Sequence, residues 1–200
     1  MNNLQIGTFG WQHADWLGTF YPEDLPQDWE LDYYSNAFRV VLLPQAQWRQ
    51  WGEEEIEDAL DAVEGDFSFF LALSEPLSEV LASQIEVVKS HMGSKLGGVV
   101  VFAEDWLPDE WICGLPVSLV SSSQTLPGWR WQWANQVCSG APFGFVADLP
   151  REGKEQAKML QNFMQSLPEN LLGAPFFIGG ESINMAQVTD LKVIGEISGY

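Results

Sequence analysis

Hydrophobic residues recur along this chain in short, almost unbroken runs. Eight of these runs are candidate strands: Leu4–Thr8, Arg39–Leu43, Phe67–Leu73, Gly98–Ala103, Val117–Val120, Trp129–Trp133, Phe143–Asp148 and Pro175–Gly179. Continuous apolar runs are typical of strands that are buried on both faces, as in a parallel sheet. The pattern therefore predicts an α/β protein whose sheet is covered by helices.

Amphipathic stretches separate these runs. The predicted helices are Pro26–Ala37, Glu53–Val63, Pro76–His91, Glu152–Leu167 and a last helix capped by Asn184. Strands that alternate with helices imply right-handed βαβ units, and eight such strands favour a closed (β/α)8 TIM-barrel-like fold. An open doubly wound sheet is the alternative architecture.

Residues 105–141 break this alternation, because they are rich in Trp, Pro and Ser and contain no convincing long helix. We therefore expect one or two barrel helices to be replaced by loops. Trp129, Trp131 and Trp133 alternate along one predicted strand, so the three indoles share a face. If that face points inward, the indoles fill the barrel. If it points outward, they form a patch for a partner or for self-association, which we favour because an inner wall would be crowded.

Length and charge restrict the classes of function. The 200 residues suit one barrel domain, residues 1–200, and the formal charge is −19. Such a chain repels nucleic-acid backbones and anionic membrane surfaces. No apolar run approaches the ~18 residues of a membrane span, and the start of the chain does not resemble a signal peptide. Two cysteines make no secreted disulfide framework, so a cytoplasmic, bacterial-type location is expected.

Residues 6–34 read IGTFGWQHADWLGTFYPEDLPQDWELDYY. This block resembles the opening of the YecE-like family, also described as domain of unknown function 72. The positions that keep the family spacing are Gly7, Thr8, Gly10, Trp11, Trp16, Gly18, Phe20, Tyr21, Pro22 and Leu25. The resemblance implies a parallel (β/α) barrel with its functional residues at the C-terminal ends of the strands. Looser similarities continue along the chain, which is shorter than is usual for the family.

The polar residues that the family places at the barrel mouth are missing. The aligned positions hold Leu42, Pro44, Ala72 or Leu73, Phe102, Leu119–Ser123 and Phe145–Asp148. Charged groups at strand ends position substrates and shift the pKa values of their neighbours. We therefore expect that any catalytic activity of the family is lost or altered in this chain.

The first loop contains one candidate ligand-binding cluster, formed by Trp11, His13, Asp15 and Trp16. His13, oriented by Asp15, could carry a proton near neutral pH, and the indoles could stack on a sugar or a base. The alternative interpretation is structural. In that case the two indoles brace the loop and His13 is exposed.

Two carboxylates form a second candidate site. Glu104 follows the fourth predicted strand and Asp148 follows the seventh, which is similar to barrel glycosidases that use acids after these strands. A retaining mechanism needs carboxyl groups about 5 Å apart. Acids at strand ends are also ordinary in so acidic a chain. The positions of Glu104 and Asp148 after these strands are therefore the only support for this candidate site.

No metal or cofactor is predicted, because the chain has two histidines and no HxxxH or CxxC spacing. The preferred hypothesis is a non-catalytic or functionally shifted binding module for a small molecule or a protein partner. The alternative is a hydrolase that cleaves a glycosidic or similar bond through Glu104 and Asp148.

Overall fold

The computed structural model describes residues 4–200. The strands are β1 Gln5–Phe9, β2 Val40–Leu43, β3 Ser68–Leu73, β4 Leu96–Phe102, β5 Trp111–Ile112, β6 Leu115–Ser121, β7 Trp129–Trp133, β8 Gln136–Gly140, β9 Gly144–Val146 and β10 Pro175–Ile178. The helices are α1 Glu30–Ala37, α2 Gln45–Trp48, α3 Glu53–Asp61, α4 Glu79–Met92, α5 Gly153–Ser166 and α6 Met185–Ile197. The predicted α/β class is confirmed.

One sheet carries nine of these strands in the order β7-β8-β6-β4-β3-β2-β1-β10-β9, and it curls into a nearly closed barrel. Every pair from β9 through β1 to β6 is parallel. The short strand β5 forms an antiparallel arm on β6. The TIM-barrel-like prediction is therefore confirmed, and the open doubly wound alternative is not adopted.

The barrel departs from the regular pattern in its second half. Strand β8 runs antiparallel to β6, and β7 pairs with the outer edge of β8. Within residues 4–200, no helix lies between β4 and β9, as expected for a barrel in which loops replace helices. The prediction of Trp129–Trp133 as a regular barrel strand was wrong in its placement, because this strand belongs to a β7–β8 hairpin at the end of the sheet.

The seam between β8 and β9 has no backbone ladder. Gln136 bridges it instead: its Nε2 donates to the carbonyl of Phe145 at 3.1 Å, and its Oε1 accepts from the amide of Ala147 at 3.3 Å. A side-chain amide has the same donor and acceptor as a peptide group. It therefore supplies the pairing that the missing ladder would otherwise provide.

Aromatic side chains fill the inside of the barrel. At the C-terminal ends of the strands, Phe9, Phe102 and Phe145 meet with ring centroids 4.8 to 6.4 Å apart. Towards the other end, Phe70 lies 4.9 Å from Phe143 and 5.2 Å from the ring of Phe177. The interior is thus a packed core and not a channel, as in other barrels of this size.

The tryptophan face of β7 packs against α5. The indole of Trp129 donates to the hydroxyl of Ser166 at 3.0 Å, and that of Trp131 donates to Asn162 at 2.8 Å. Both indoles are buried, and Trp133 is half-buried. The expectation of an exposed apolar patch is corrected, because α5 covers two of its three indoles. Self-association through Trp129, Trp131 and Trp133 loses most of the surface on which it was predicted.

Candidate functional site

The two indoles of the first-loop cluster (Trp11, His13, Asp15 and Trp16) are buried. Trp11 is 5% exposed and Trp16 is 1% exposed. The indole of Trp16 donates to the carbonyl of Ile183 at 2.9 Å, which ties the first loop to the segment before α6. The hydroxyl of Tyr21 donates to the carbonyl of Trp11 at 2.7 Å. Neither indole therefore offers an open face to a ligand.

His13 and Asp15 are held apart by other partners. The ring of His13 stacks on Trp16 at 4.3 Å, and its Nε2 lies 2.9 Å from the carbonyl of Phe9. A carbonyl oxygen only accepts, so Nε2 carries the hydrogen. Asp15 instead accepts from the hydroxyl of Ser182 at 3.1 Å. The pairing of His13 with Asp15 is absent from residues 4–200, and the geometry favours the bracing interpretation of this loop.

The opening motif also has a structural role beneath the loop. The hydroxyl of Tyr34 accepts from the amide and the hydroxyl of Thr8, both at 3.0 Å, and donates to the carbonyl of Val40 at 3.0 Å. At Gly7, an added Cβ would lie 2.0 Å from the same Val40 carbonyl. These residue types are needed because β1, β2 and α1 meet closely here. The motif builds the barrel without presenting a reactive group.

An open groove lies above the aromatic layer at the barrel mouth. We call it the mouth groove; its volume is about 540 Å³, and it is lined by Phe102, Ala103, Glu104, Val120, Ser121, Ser122, Trp133, Ala134, Asn135, Gln136, Phe145, Val146, Ala147 and Asp148. Its floor is apolar and its rim is polar. This is the usual construction of a small-molecule site, and it lies at the barrel face where such sites occur.

Both predicted carboxylates, Glu104 and Asp148, line this groove. The strand-end rule therefore placed them correctly at one mouth. The hairpin tip at Trp133, Ala134 and Asn135 was missed as part of the site. It was missed because β8 was not predicted, so the return of the chain to the mouth could not be foreseen.

Glu104 is fixed by the serine-rich end of β6. Its carboxylate accepts from the amide of Ser122 at 3.0 Å and from the hydroxyls of Ser121, Ser122 and Ser123 at 3.1, 2.9 and 3.0 Å. The backbone and side-chain hydrogen bonds from Ser122 are the main reason that the pKa of Glu104 falls to about 2. Glu104 is consequently an anion whose Oε2 is saturated with hydrogen bonds, while its Oε1 accepts only from the amide of Ser122.

Asp148 differs from Glu104 in having free acceptors. Its side chain is exposed and makes no hydrogen bond or ion pair with the rest of residues 4–200. Asn135, at the tip of the β7–β8 hairpin, is exposed as well. The groove therefore combines one fixed carboxylate with one free carboxylate. A bound molecule can meet the second without breaking a contact of the fold.

Three further features of the described residues concern possible metal ligands, long apolar helices and the two thiols. No group of three or more His, Cys, Asp or Glu side chains in residues 4–200 is arranged to hold a metal ion. In the same range, no helix has both the length and the apolar character that crossing a membrane requires. Neither thiol is activated, since burial raises the pKa of Cys113 and brings that of Cys138 to about 12.

The fold and part of the sequence are similar to those of known proteins. A solved structure of a DUF72 family protein from Thermotoga maritima shares the fold, with a TM-score of 0.54 and 14% sequence identity, over 98% of this chain and 100% of that one. A search of curated proteins found no match. Residues 5–103 match the family described as protein of unknown function DUF72. The resemblance seen in the opening block is confirmed, and residues 5–103 of the chain carry the DUF72 family pattern.

Proposed function

We propose that this chain is a non-catalytic binding protein that holds a small molecule in the mouth groove. The observation that carries the proposal is the layer formed by Phe9, Phe102 and Phe145. These rings occupy the centre of the mouth, where a barrel enzyme of this type places charged groups. They leave a groove with an apolar floor that can exclude water from a ligand, and the rings themselves supply no proton donor or nucleophile.

The electrostatics of Glu104 support binding over catalysis. A glycosidase acid must hold a proton near neutral pH, which requires a raised pKa. The serine hydrogen bonds hold the pKa of Glu104 at about 2, so this carboxyl has no proton to give. The three serine hydroxyls all donate to Oε2 of Glu104, and these bonds stabilise its negative charge, which makes this carboxylate a weaker nucleophile.

The proposal is tested with an aromatic probe that fits the apolar floor. We expect 2-phenylethanol to bind saturably, with a dissociation constant of about 1 mM, as followed by saturation-transfer NMR. Trp133→Ala removes an indole from the wall of the groove and should weaken this binding. Trp29→Ala is the matched control, because Trp29 is 63% exposed and lies outside the mouth groove. Absence of saturable binding, or equal loss in both variants, would contradict the proposal.

A hydrolase remains the second candidate, because Glu104 and Asp148 line the same groove. It predicts that chromogenic glycosides are cleaved by the native chain. Cleavage should then fall by orders of magnitude in both Glu104→Gln and Asp148→Asn. An activity that survives both substitutions, or no activity at all, rules this candidate out.

A further inference from the structure

We infer that the mouth groove selects organic cations, namely small ammonium compounds that carry an apolar or aromatic body. The inference deepens the proposed function and rests on it. Three features of the groove support it: the sign of the charges on its rim, the aromatic rings beside them and the scarcity of free hydrogen-bond donors.

Every charged side chain on the groove is an acid. Glu104 and Asp148 line it, and among residues 4–200 no Lys, Arg or His does. A formal charge of −19 extends the same sign over the whole molecule. Clefts lined by one sign of charge concentrate ligands of the opposite sign. A carboxylate or phosphate ligand would face two like charges with no cation to offset them.

The position of one of these charges is fixed before any ligand arrives. Hydrogen bonds from Ser121, Ser122 and Ser123 hold the carboxylate of Glu104 in a single place. Because its pKa is lowered to about 2, Glu104 keeps its charge across the physiological range. A preorganised charge costs little ordering on binding, which favours a cation placed beside it.

Aromatic rings supply the second half of the recognition. Phe102 and Phe145 pave the floor, with ring centroids 4.8 Å apart, and Trp133 forms part of the wall. An ammonium group over an aromatic face is attracted by the ring quadrupole. This attraction is stronger for Trp than for Tyr or Phe. The same rings bury the apolar body of the ligand. The groove therefore suits a molecule that is both cationic and apolar.

Few donors remain free for a neutral polyol. The amide of Gln136 is used in the β8–β9 seam, and the hydroxyl of Ser122 donates to Glu104. The side chain of Asn135 and the indole N–H of Trp133 are the donors on the groove that have no hydrogen bond inside residues 4–200. A sugar needs several donors and acceptors that converge on its hydroxyls. A cation needs mainly the carboxylates, which this groove has.

The test compares three probes of similar shape by isothermal titration calorimetry at pH 7 and low salt. They are 2-phenylethylammonium, 2-phenylethanol and 3-phenylpropionate. We expect the cation to bind about tenfold more tightly than the alcohol, from two exposed carboxylates and one cation–π contact. The propionate should bind more weakly than the alcohol. Raising the salt concentration should reduce the preference for the cation without changing the binding of the alcohol.

Asp148→Asn measures how much the charge of Asp148 contributes to the affinity for the cation. It should not disturb the fold, because the Asp148 side chain makes no contact that the fold requires. The affinity for the cation should fall about threefold, while that for the alcohol stays the same. Glu54→Gln is the matched control: Glu54 is an exposed acid on α3, outside the groove, and its removal changes the net charge equally.

The outcomes distinguish a failure of the cation selectivity from a failure of the proposed small-molecule binding. Equal binding of cation and alcohol, or tighter binding of the propionate, would overturn the inference and leave the proposed function standing. The inference would also fail if Asp148→Asn behaved like Glu54→Gln. Failure of all three probes to bind would overturn both the inference and the proposed function.

Discussion

Two regions at the barrel mouth contain the same kinds of residue and use them differently. The first-loop cluster and the mouth groove each combine tryptophan with carboxylates. In the first-loop cluster, Trp16 is 1% exposed, and Asp15 is engaged by Ser182. In the mouth groove, Trp133 is only half-buried, and Asp148 has no partner within residues 4–200. The part of the sequence that identifies the family thus has buried indoles, and its His13 and Asp15 make hydrogen bonds within the fold.

This contrast separates the evidence for a fold from the evidence for a function. Loop one resembles the family because a close approach of β1, β2 and α1 requires particular residues. The groove over β4, β6 and β9 has no such requirement on its free side chains. Function in this chain should therefore be sought where the family pattern is weakest, and the following predictions test that division.

The largest effect is expected from Trp16→Ala. It removes a buried indole and its hydrogen bond to Ile183, so the free energy of unfolding should fall by about 3–5 kcal/mol. Trp133→Ala, on the groove side, should cost about 1 kcal/mol, because its indole is only partly removed from water. Urea unfolding of both variants measures the difference. Similar losses would show that the two regions are equally structural.

Tyr34→Phe should produce the next largest loss. The substitution leaves the amide of Thr8 and the carbonyl of Val40 without their buried partner, which should cost about 2–3 kcal/mol. Tyr33→Phe is the matched control, since Tyr33 is 38% exposed. It should change stability by less than about 0.5 kcal/mol. Thermal or urea denaturation distinguishes the two, and equal effects would contradict the structural role of Tyr34.

Glu104→Gln should have a pH-dependent effect on the groove side. Hydrogen bonds lower the pKa of Glu104 from 4.5 to about 2 in the folded state. The stability they contribute is therefore complete above pH 4.5 and is lost as the pH falls towards 2. The amide NMR shift of Ser122 should titrate with a midpoint near pH 2 in the native chain. In Glu104→Gln this titration should be absent; a native midpoint near 4.5 would contradict the hydrogen-bond arrangement.

The smallest effect is expected from His13→Ala. It removes one stacking contact with Trp16 and one hydrogen bond to Phe9, so stability should fall by about 1 kcal/mol. Binding of 2-phenylethylammonium should be unchanged, because His13 does not line the mouth groove. Gln12→Ala, at a neighbouring exposed position, serves as the control for stability. A loss of probe binding in His13→Ala would assign the first loop a role in recognition.

Prediction from the sequence succeeded where local pattern determines the element. The buried runs became strands, and Asn184 caps α6 by accepting from the amides of Ala186 and Gln187 at 3.0 and 3.3 Å. Helix α4 begins later than expected, because Ser78 caps it and Pro76 lies before the cap. Boundaries of this kind shift by a few residues, since competing caps lie close together in the chain.

Prediction failed where pairing direction decides the structure. The run Gln136–Gly140 is short and partly polar, and its turn has Ala134 at a φ of 49° where a glycine or asparagine would signal a hairpin. An alternating apolar strand such as β7 carries no mark of whether its neighbour runs parallel or antiparallel. The assignment of the three indoles depended on that direction, and it was missed for this reason.

The candidate site was predictable in position but not in chemical state. The strand-end rule placed Glu104 and Asp148 at one mouth. The β4–β6 pairing places Phe102 opposite Val120. Glu104 and the serines at 121–123 come shortly after these two residues, so the pairing is what brings the three serines around Glu104. A pKa arises from such neighbours across the sheet. It therefore cannot be inferred from a single run of sequence.

The reversed direction of β8 has an evolutionary consequence. In an all-parallel barrel, each rim loop leads into a helix that must return to the far end, which limits how the loop can vary. The turn at Ala134 and Asn135 joins two adjacent strands of the β7–β8 hairpin and has no such obligation. Residues inserted there would lengthen the hairpin tip that lines the mouth groove while leaving the strands in register. A change in the length of this one turn would thus change the size of the mouth groove.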